Sequence, residues 1–269
     1  MGNRDTQFAG SIPEIYDRYL GPVIFQPYAD DLARRVAALS PQAVLETAAG
    51  TGIVTRAMLA ALPHSAAVTA TDLNQPMLDY AARQTPSARV TWRQADALSL
   101  PFDDGAFDAV VCQFGVMFFP DRIAAYREAR RVLKQGGVFL FNVWGPIARN
   151  EFADVATKAV AALFPDDPPS FFSRVPHGYH DLPLIERDLR AAGFSHVTTQ
   201  TLDVDGTAAS ARHAATGLCQ GTPLRNEIEA RDAARLSEAT EAAAAALTAR
   251  FGSGAIHGNL QAHVIAARR

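Results

Sequence analysis

One stretch constrains the fold more than any other: Val44-Leu45-Glu46-Thr47-Ala48-Ala49-Gly50-Thr51-Gly52. Ala43 to Glu46 is an apolar run closed by an acid, and from Ile53 to Leu62 apolar side chains recur at helical spacing. The chain therefore reads as strand, tight turn and helix start. Small residues in the turn let a ligand approach the backbone, because no Cβ stands in the way. The first amides of the following helix point at whatever sits there. Beyond Gly52, a second apolar run, Val68-Thr69-Ala70-Thr71, ends in Asp72. An acid at that place can hydrogen-bond both hydroxyls of a ribose. The turn alone is a weak signal; the turn with an acid closing the next strand is a much better one.

The alternation continues. A helix is predicted over Gln75–Gln84 with Asn74 as its cap, and strands over Ala67–Asp72 and Arg89–Gln94. Phe107–Gln113 is nearly all apolar, as in a strand buried on both faces. Asp121 caps a helix running to Lys134, stopped by Gly136-Gly137, and Val138–Trp144 follows as a strand. Strands alternating with helices imply a doubly wound, mostly parallel α/β sheet with right-handed crossovers. Ligands of such sheets lie outside the carboxyl ends of the strands. Glu46, Asp72, Asp96 and Gln113 all fall at those ends.

The flanks are read more coarsely. Ser11 and Glu14 form a capping box, with Pro13 in the first turn of a helix that Gly21-Pro22 breaks after Leu20. A second helix starts near Pro27, with Ala29, Leu32, Ala33, Val36 and Leu39 on one face. This opening segment is aromatic, and Tyr16 is its candidate for closing over a ligand. After Trp144, helices are expected over Asn150–Leu163 and from Asp181-Leu182-Pro183 to Gly193. A strand is expected over His196–Val204, a long Ala-rich helix from Thr222-Pro223 to Phe251, and a last strand over Leu260–Ala266. The expectation is one domain of 269 residues with a seven-stranded sheet. Its parts are a helical flap (1–39), a core (40–145), lid elements (146–180 and 205–252) and the completion of the sheet (181–204 and 253–269).

Composition narrows the function. The net charge is −3, and the basic residues cluster only in pairs such as Arg34-Arg35, Arg130-Arg131 and Arg268-Arg269. These read as solvated helix faces, so neither a nucleic-acid nor a membrane partner is expected. The two cysteines, Cys112 and Cys219, read as thiols rather than a disulfide. No signal core or membrane span is visible, and the chain is expected to be cytoplasmic. Met1-Gly2 with Thr6 formally fits a myristoylation pattern short enough to recur by chance. The histidines are scattered, and no metal site is expected.

The quoted residues resemble the class I S-adenosylmethionine-dependent methyltransferases, in particular the small-molecule branch that includes quinone C-methyltransferases. The resemblance covers roughly residues 40 to 145. VLETAAGTG stands where that family has an acid and a G-x-G-x-G turn, and TATDLNQPML resembles its second-strand acid with a helix carrying a Met. QADALSLPFDDGAFDAVVCQFGVMFF and EARRVLKQGGVFLFNVW resemble the later strand blocks. Two positions depart from the pattern: Glu46 replaces Asp, and Ala48 replaces the first Gly. An ordinary backbone φ is expected at Ala48.

The resemblance implies a doubly wound methyltransferase fold and S-adenosyl-L-methionine as cofactor. It implies that Ala48, Ala49, Gly50 and Gly52 cradle the methionine portion, with Glu46 helping to hold its amino group. Asp72 takes the ribose hydroxyls, Leu73 and Met77 pack on the base or ribose, Asp96 and the Ala97 amide read the adenine edge, and Gln113 lines the passage to the acceptor. The acceptor is expected to be small and aromatic or lipophilic, since Phe171, Phe172, Tyr179, Phe118, Phe119 and Trp144 could wall an apolar pocket. His177 and His180 are the weak candidates for a general base. Two rivals stay open. A nicotinamide oxidoreductase needs G-x-G-x-x-G, but Gly50 and Gly52 are followed by Thr55. A cofactor-binding protein without turnover is the other. A homodimer is left open.

Overall fold

The computed structural model describes residues 3–6, 8 and 10–269; Met1 and Gly2 of the myristoylation pattern lie outside them. Its helices, apart from single 3-10 turns and a π-helical segment (Tyr16–Phe25), are α1 (Ile12–Ile15), α2 (Gln26–Ala38), α3 (Ile53–Ala61), α4 (Gln75–Gln84), α5 (Arg122–Val132), α6 (Glu151–Ala161), α7 (Phe171–Arg174), α8 (Leu182–Ala191), α9 (Ala211–Gln220), α10 (Leu224–Asp232) and α11 (Leu236–Phe251). The strands are β1 (Ala43–Glu46), β2 (Ala67–Asp72), β3 (Val90–Gln94), β4 (Phe107–Gln113), β5 (Leu133–Trp144), β6 (His196–Ala208) and β7 (Ile256–Arg268). They form one seven-stranded sheet in the order β3-β2-β1-β4-β5-β7-β6. The pairs within β3-β2-β1-β4-β5 are parallel. This is the doubly wound arrangement that the alternation of elements implied.

The register carries the acids to one edge. Glu46 stands opposite Ala70 and Val111, Asp72 opposite Gln94, and Gln113 opposite Asn142, so each closes its strand at the carboxyl end. Burial of Val44, Leu45, Val68, Ala70, Val110, Val111 and Cys112 on the central strands sets that register, because a parallel sheet covered on both faces tolerates few polar side chains.

The chain packs as two compact units. One holds Tyr28–Val143, Tyr179–Thr201 and His263–Arg269 and contains the turn after β1. The other holds Met1–Pro27, Trp144–Gly178 and Leu202–Ala262, with α11 lying against α9 and α6.

Several local expectations are corrected. Gly21-Pro22 does not break the first helix: Tyr16–Phe25 is π-helical and continues from α1 into α2. Gln26 N–H donates to Gly21 O, an i→i+5 bond, and this wider winding absorbs a proline whose ring would collide with an α-helical carbonyl. Ser11 makes no side-chain cap; its hydroxyl accepts from Arg225 instead. Asp121 does cap α5, accepting from Ala124 N–H at 2.9 Å. That helix ends at Val132 rather than Lys134, because Leu133 already pairs with Phe107. The next paired residues are Ala109 and Val138, so the extra residues of β5 bulge through Gly136, whose φ is 77°. The long Ala-rich helix is two helices, with Asp232 restarting the chain by accepting from Ala234 N–H.

Among the described residues no helix is long and apolar enough to cross a membrane. No group of three or more His, Cys, Asp or Glu residues among them could hold a metal ion. Both cysteines are buried free thiols.

Candidate functional site

The turn after β1 is pinned to both neighbouring strands. Thr47 N–H donates to Val111 O on β4, and Ala49 N–H to Thr71 O on β2, each at 2.9 Å. With both sides tied, the residues between must coil back, and they do so through positive φ: 52° at Ala48, 55° at Gly50 and 80° at Gly52. The ordinary φ expected at Ala48 is therefore wrong. The left-handed backbone costs an L-residue roughly 1–2 kcal/mol, and Ala48 bears it because two sheet-like bonds over-determine the turn. Its methyl group fills space that Gly115 leaves open: a Cβ on Gly115 would stand 2.5 Å from the Cβ of Ala48.

The two glycines differ. A Cβ on Gly52 would meet the Trp92 ring at 2.9 Å and the Ala81 methyl at 3.1 Å, so Gly52 serves packing of helix on sheet. A Cβ on Gly50 would meet nothing within 4 Å. Gly50 faces open space.

Asp72 closes β2 and is 7% exposed. Its Oδ2 accepts from Gly50 N–H at 2.9 Å, and its Oδ1 from Asn74 N–H at 2.8 Å and from the Asn74 side-chain amide at 3.3 Å. Asn74, expected as a helix cap, makes no such cap bond and serves the carboxylate instead. Burial raises the Asp72 pKa, while these donors pull it back. Glu46 is 1% exposed, and its Oε2 accepts from the Thr55 hydroxyl at 2.5 Å. Burial pushes its pKa up to about 8, against the pull of Thr55 and Arg56; the nearby Asp72 adds to the rise. Glu46 thus stands as a neutral carboxyl behind the turn near neutral pH.

Around these acids, Leu73 is 52% exposed, an apolar side chain held in solvent next to Asp72. Its carbonyl accepts from the Gln94 side chain at 2.8 Å. Met77 is buried. Asp96 is exposed and turns the chain: Oδ1 accepts from Leu98 N–H and its carbonyl from Ser99 N–H. Ala97 is half-buried beside it. Gln113 is half-buried at the end of β4. These residues all belong to the unit that contains the turn.

His180 belongs to that unit as well and is half-buried. Tyr16 and His177 belong to the other unit. Tyr16 stacks on Phe25 with centroids 4.7 Å apart. His177 is 5% exposed, with Nδ1 2.8 Å from Gly145 O and its ring near Trp144 and Phe172. A carbonyl can only accept, so Nδ1 carries a proton.

Some residues of this edge escaped sequence reasoning. Thr55, noted only as the missing third glycine, is the hydroxyl that Glu46 uses. Phe114 has φ 50°, an outlier for a bulky residue. Asn142 holds it there, since Phe114 N–H reaches both the Asn142 side-chain oxygen (2.9 Å) and its carbonyl (3.2 Å). The one available signal was an Asn inside the apolar run Phe139-Leu140-Phe141-Asn142-Val143-Trp144. Arg131, read as part of a solvated pair, is turned inward onto the loop after Asp96.

Comparison with known proteins places the chain's family and fold. A family described as a methyltransferase domain matches residues 45–141. A demethylmenaquinone methyltransferase of Clavibacter sepedonicus is 32% identical over 199 residues, which are 68% of this chain and 80% of that protein. Among solved structures, a phosphoethanolamine N-methyltransferase of Haemonchus contortus in complex with S-adenosyl-L-methionine superposes with a TM-score of 0.61 at 16% identity, over 100% of this chain and 60% of that one. The YcgJ protein of Bacillus subtilis superposes at 0.57 with 21% identity, over 90% of this chain and 98% of that one.

Proposed function

Since the chain belongs to the class I S-adenosylmethionine-dependent methyltransferases, we propose that its methyl acceptor is a small, flat, lipophilic hydroquinone or phenol. The enzyme uses S-adenosyl-L-methionine. The observation that carries the site assignment is the Asp72 carboxylate, oriented by Gly50 and Asn74 at the mouth of an open glycine turn. The acceptor class rests on the demethylmenaquinone methyltransferase likeness.

The residues fit a sulfonium nucleoside. Asp72 is fixed from behind by donors and can take the two ribose hydroxyls. The exposed Leu73 gains an apolar partner when it covers the adenine, and Met77 packs below it. Asp96 accepts from the exocyclic amino group, and the Ala97 N–H donates to the ring nitrogen beside it. The open backbone at Gly50 receives the methionine portion, with Ala48, Ala49 and Gly52 shaping the turn. Glu46, paired with Thr55, faces the amino group directly or through water.

When bound, the cofactor supplies a methyl group already activated by its sulfonium. The chain aligns the two partners and excludes water. Gln113 would line the passage by which the acceptor reaches that methyl group. A phenol acceptor attacks as its phenolate, so the protein needs only a sink for the proton the hydroxyl gives up. His180 is the better placed of the two histidines for that exchange, because His177 is buried and tied to Gly145. Tyr16 is the aromatic candidate of the N-terminal flap. A net charge of −3 supports the reading that nucleic acid is not a partner, and a cytoplasmic location belongs to the same reading.

Calorimetry with S-adenosylmethionine, S-adenosylhomocysteine and NAD tests the site. Transfer of labelled methyl to a panel of hydroquinones, phenols and amines tests the acceptor. Binding of both adenosyl ligands but not NAD, with label in the hydroquinones or phenols, is expected. Binding of NAD alone overturns the site, and label confined to amines overturns the acceptor class.

A further inference from the structure

The loop between β3 and β4 carries Asp96 and Ala97 and has no strand or helix of its own beyond an isolated bridge between Asp96 and Ser99. An irregular loop that must present two hydrogen-bonding groups to one base edge needs an external frame. Arg131 of α5 provides it. All five guanidinium N–H bonds are used: Nε and Nη2 donate to the Glu128 carboxylate at 2.8 and 2.9 Å. Nη2 also donates to Leu100 O at 2.8 Å, and Nη1 donates to Phe102 O at 2.7 Å and Asp104 at 2.8 Å. Glu128 returns the grip, its Oε2 accepting from Leu100 N–H at 2.8 Å. The Arg131 carbonyl accepts from Gly105 N–H at 3.0 Å.

Leu100 is thus held by its N–H and its C=O at once, and its side chain is buried. Between it and Asp96 the chain closes a tight turn on Asp96 itself, through Leu98 N–H and Ser99 N–H. There is no slack between the clamp and the pair that faces the base. A planar fork with five fixed donors can hold three acceptors of a loop and a carboxylate together; an ammonium on a flexible stem cannot.

Resting on the adenine assignment above, we infer that Arg131 with Glu128 is a positioning clamp that sets the base specificity of the cofactor site. Neither touches the nucleotide. They hold Asp96 and the Ala97 amide at the spacing an adenine edge requires: an acceptor for the 6-amino group and a donor for N1. A hypoxanthine edge presents the reverse pattern and is rejected only while that pair is held in place.

The full-length chain carrying Arg131→Lys tests this by calorimetry against S-adenosylhomocysteine and S-inosylhomocysteine, with thermal melting alongside. The wild type binds the adenosyl ligand more tightly. In the variant, adenosyl binding weakens about tenfold and inosyl binding about twofold, so the preference for adenine falls roughly fivefold. Where Arg131→Lys does not fold, Glu128→Gln, which keeps an oxygen for Leu100 N–H but loses the charge, reads the same ratio. Equal weakening of both ligands, no change in either, or a wild type indifferent to the base overturns the clamp. A wild type that binds neither ligand overturns the cofactor site itself.

Discussion

The Gly50 main-chain N–H donates to Asp72 Oδ2 across 2.9 Å, so the carboxylate that ends β2 also closes the turn after β1. Asp72 is thus bound on its protein side, and in the proposed site it would bring a fixed acceptor rather than a mobile one to the ribose. Asp72→Ala strands the N–H groups of Gly50 and Asn74, each costing about 1–3 kcal/mol where it stays buried. Calorimetry is expected to show S-adenosylhomocysteine affinity down by about a hundredfold or more. Asp72→Asn keeps one acceptor oxygen but turns its amide nitrogen on one of the two main-chain N–H groups, so it recovers only part of the stability and not the affinity. Wild-type affinity in Asp72→Ala would remove this residue from the site.

The two glycines of the turn separate stability from binding. Gly52→Ala puts a methyl 2.9 Å from the Trp92 ring at φ 80°. Strain and overpacking together are expected to lower unfolding free energy by about 2–4 kcal/mol in urea titrations. Gly50→Ala meets no protein atom and costs about 1–2 kcal/mol of backbone strain. Its methyl projects into the space assigned to the methionine portion, so cofactor affinity falls by about tenfold or more. Retained affinity in Gly50→Ala would show that the ligand does not use that space.

Ala48 and Gly115 form a matched pair. Ala48→Gly removes the penalty of φ 52° and is expected to be neutral or to stabilise by up to about 1 kcal/mol. Gly115→Ala alone forces its methyl against Ala48 and the Cys112 sulfur at 2.5 and 2.7 Å, a cost of about 2–3 kcal/mol. In the double variant only the sulfur contact remains, and part of that loss returns. A double-mutant cycle on chemical unfolding measures the coupling, and strict additivity contradicts the pairing.

Glu46 makes stability depend on pH in an unusual direction for a carboxyl. Its pKa rises from 4.5 to about 8 on folding, so between those values the native state holds a proton that the unfolded chain has released. That contribution is complete below about pH 4.5 and is lost as pH rises through about 8. Urea midpoints of the wild type are expected to fall from pH 5.5 to pH 8, with a shallower fall in Glu46→Gln; identical slopes would exclude Glu46. In the proposed site a cofactor ammonium near Glu46 would favour the charged carboxylate, so binding near pH 7 is expected to release protons. Calorimetry in buffers of different ionisation enthalpy counts them.

The parallel half of the sheet was legible from local pattern. β1, β2 and β4 begin and end where periodicity placed them, because strands buried on both faces are written as unbroken apolar runs with polar stops. Errors collected where a local signal was overruled by a distant partner. Gly21-Pro22 looked like a break because a π-helical winding leaves no mark in composition. Lys134 looked helical until Leu133 paired with Phe107. Arg131 looked solvated because nothing nearby announces the carbonyls of Leu100 and Phe102.

For this chain, residue order alone settled the alternation of elements, the acids at the strand ends and the open turn between them. Each of these follows from contacts a few residues long. Tertiary packing decided the left-handed backbone at Ala48 and Phe114, the proton on Glu46 and the inward fork of Arg131. These depend on which carbonyl, carboxylate or methyl group a second segment brings alongside, and on how much water that segment removes.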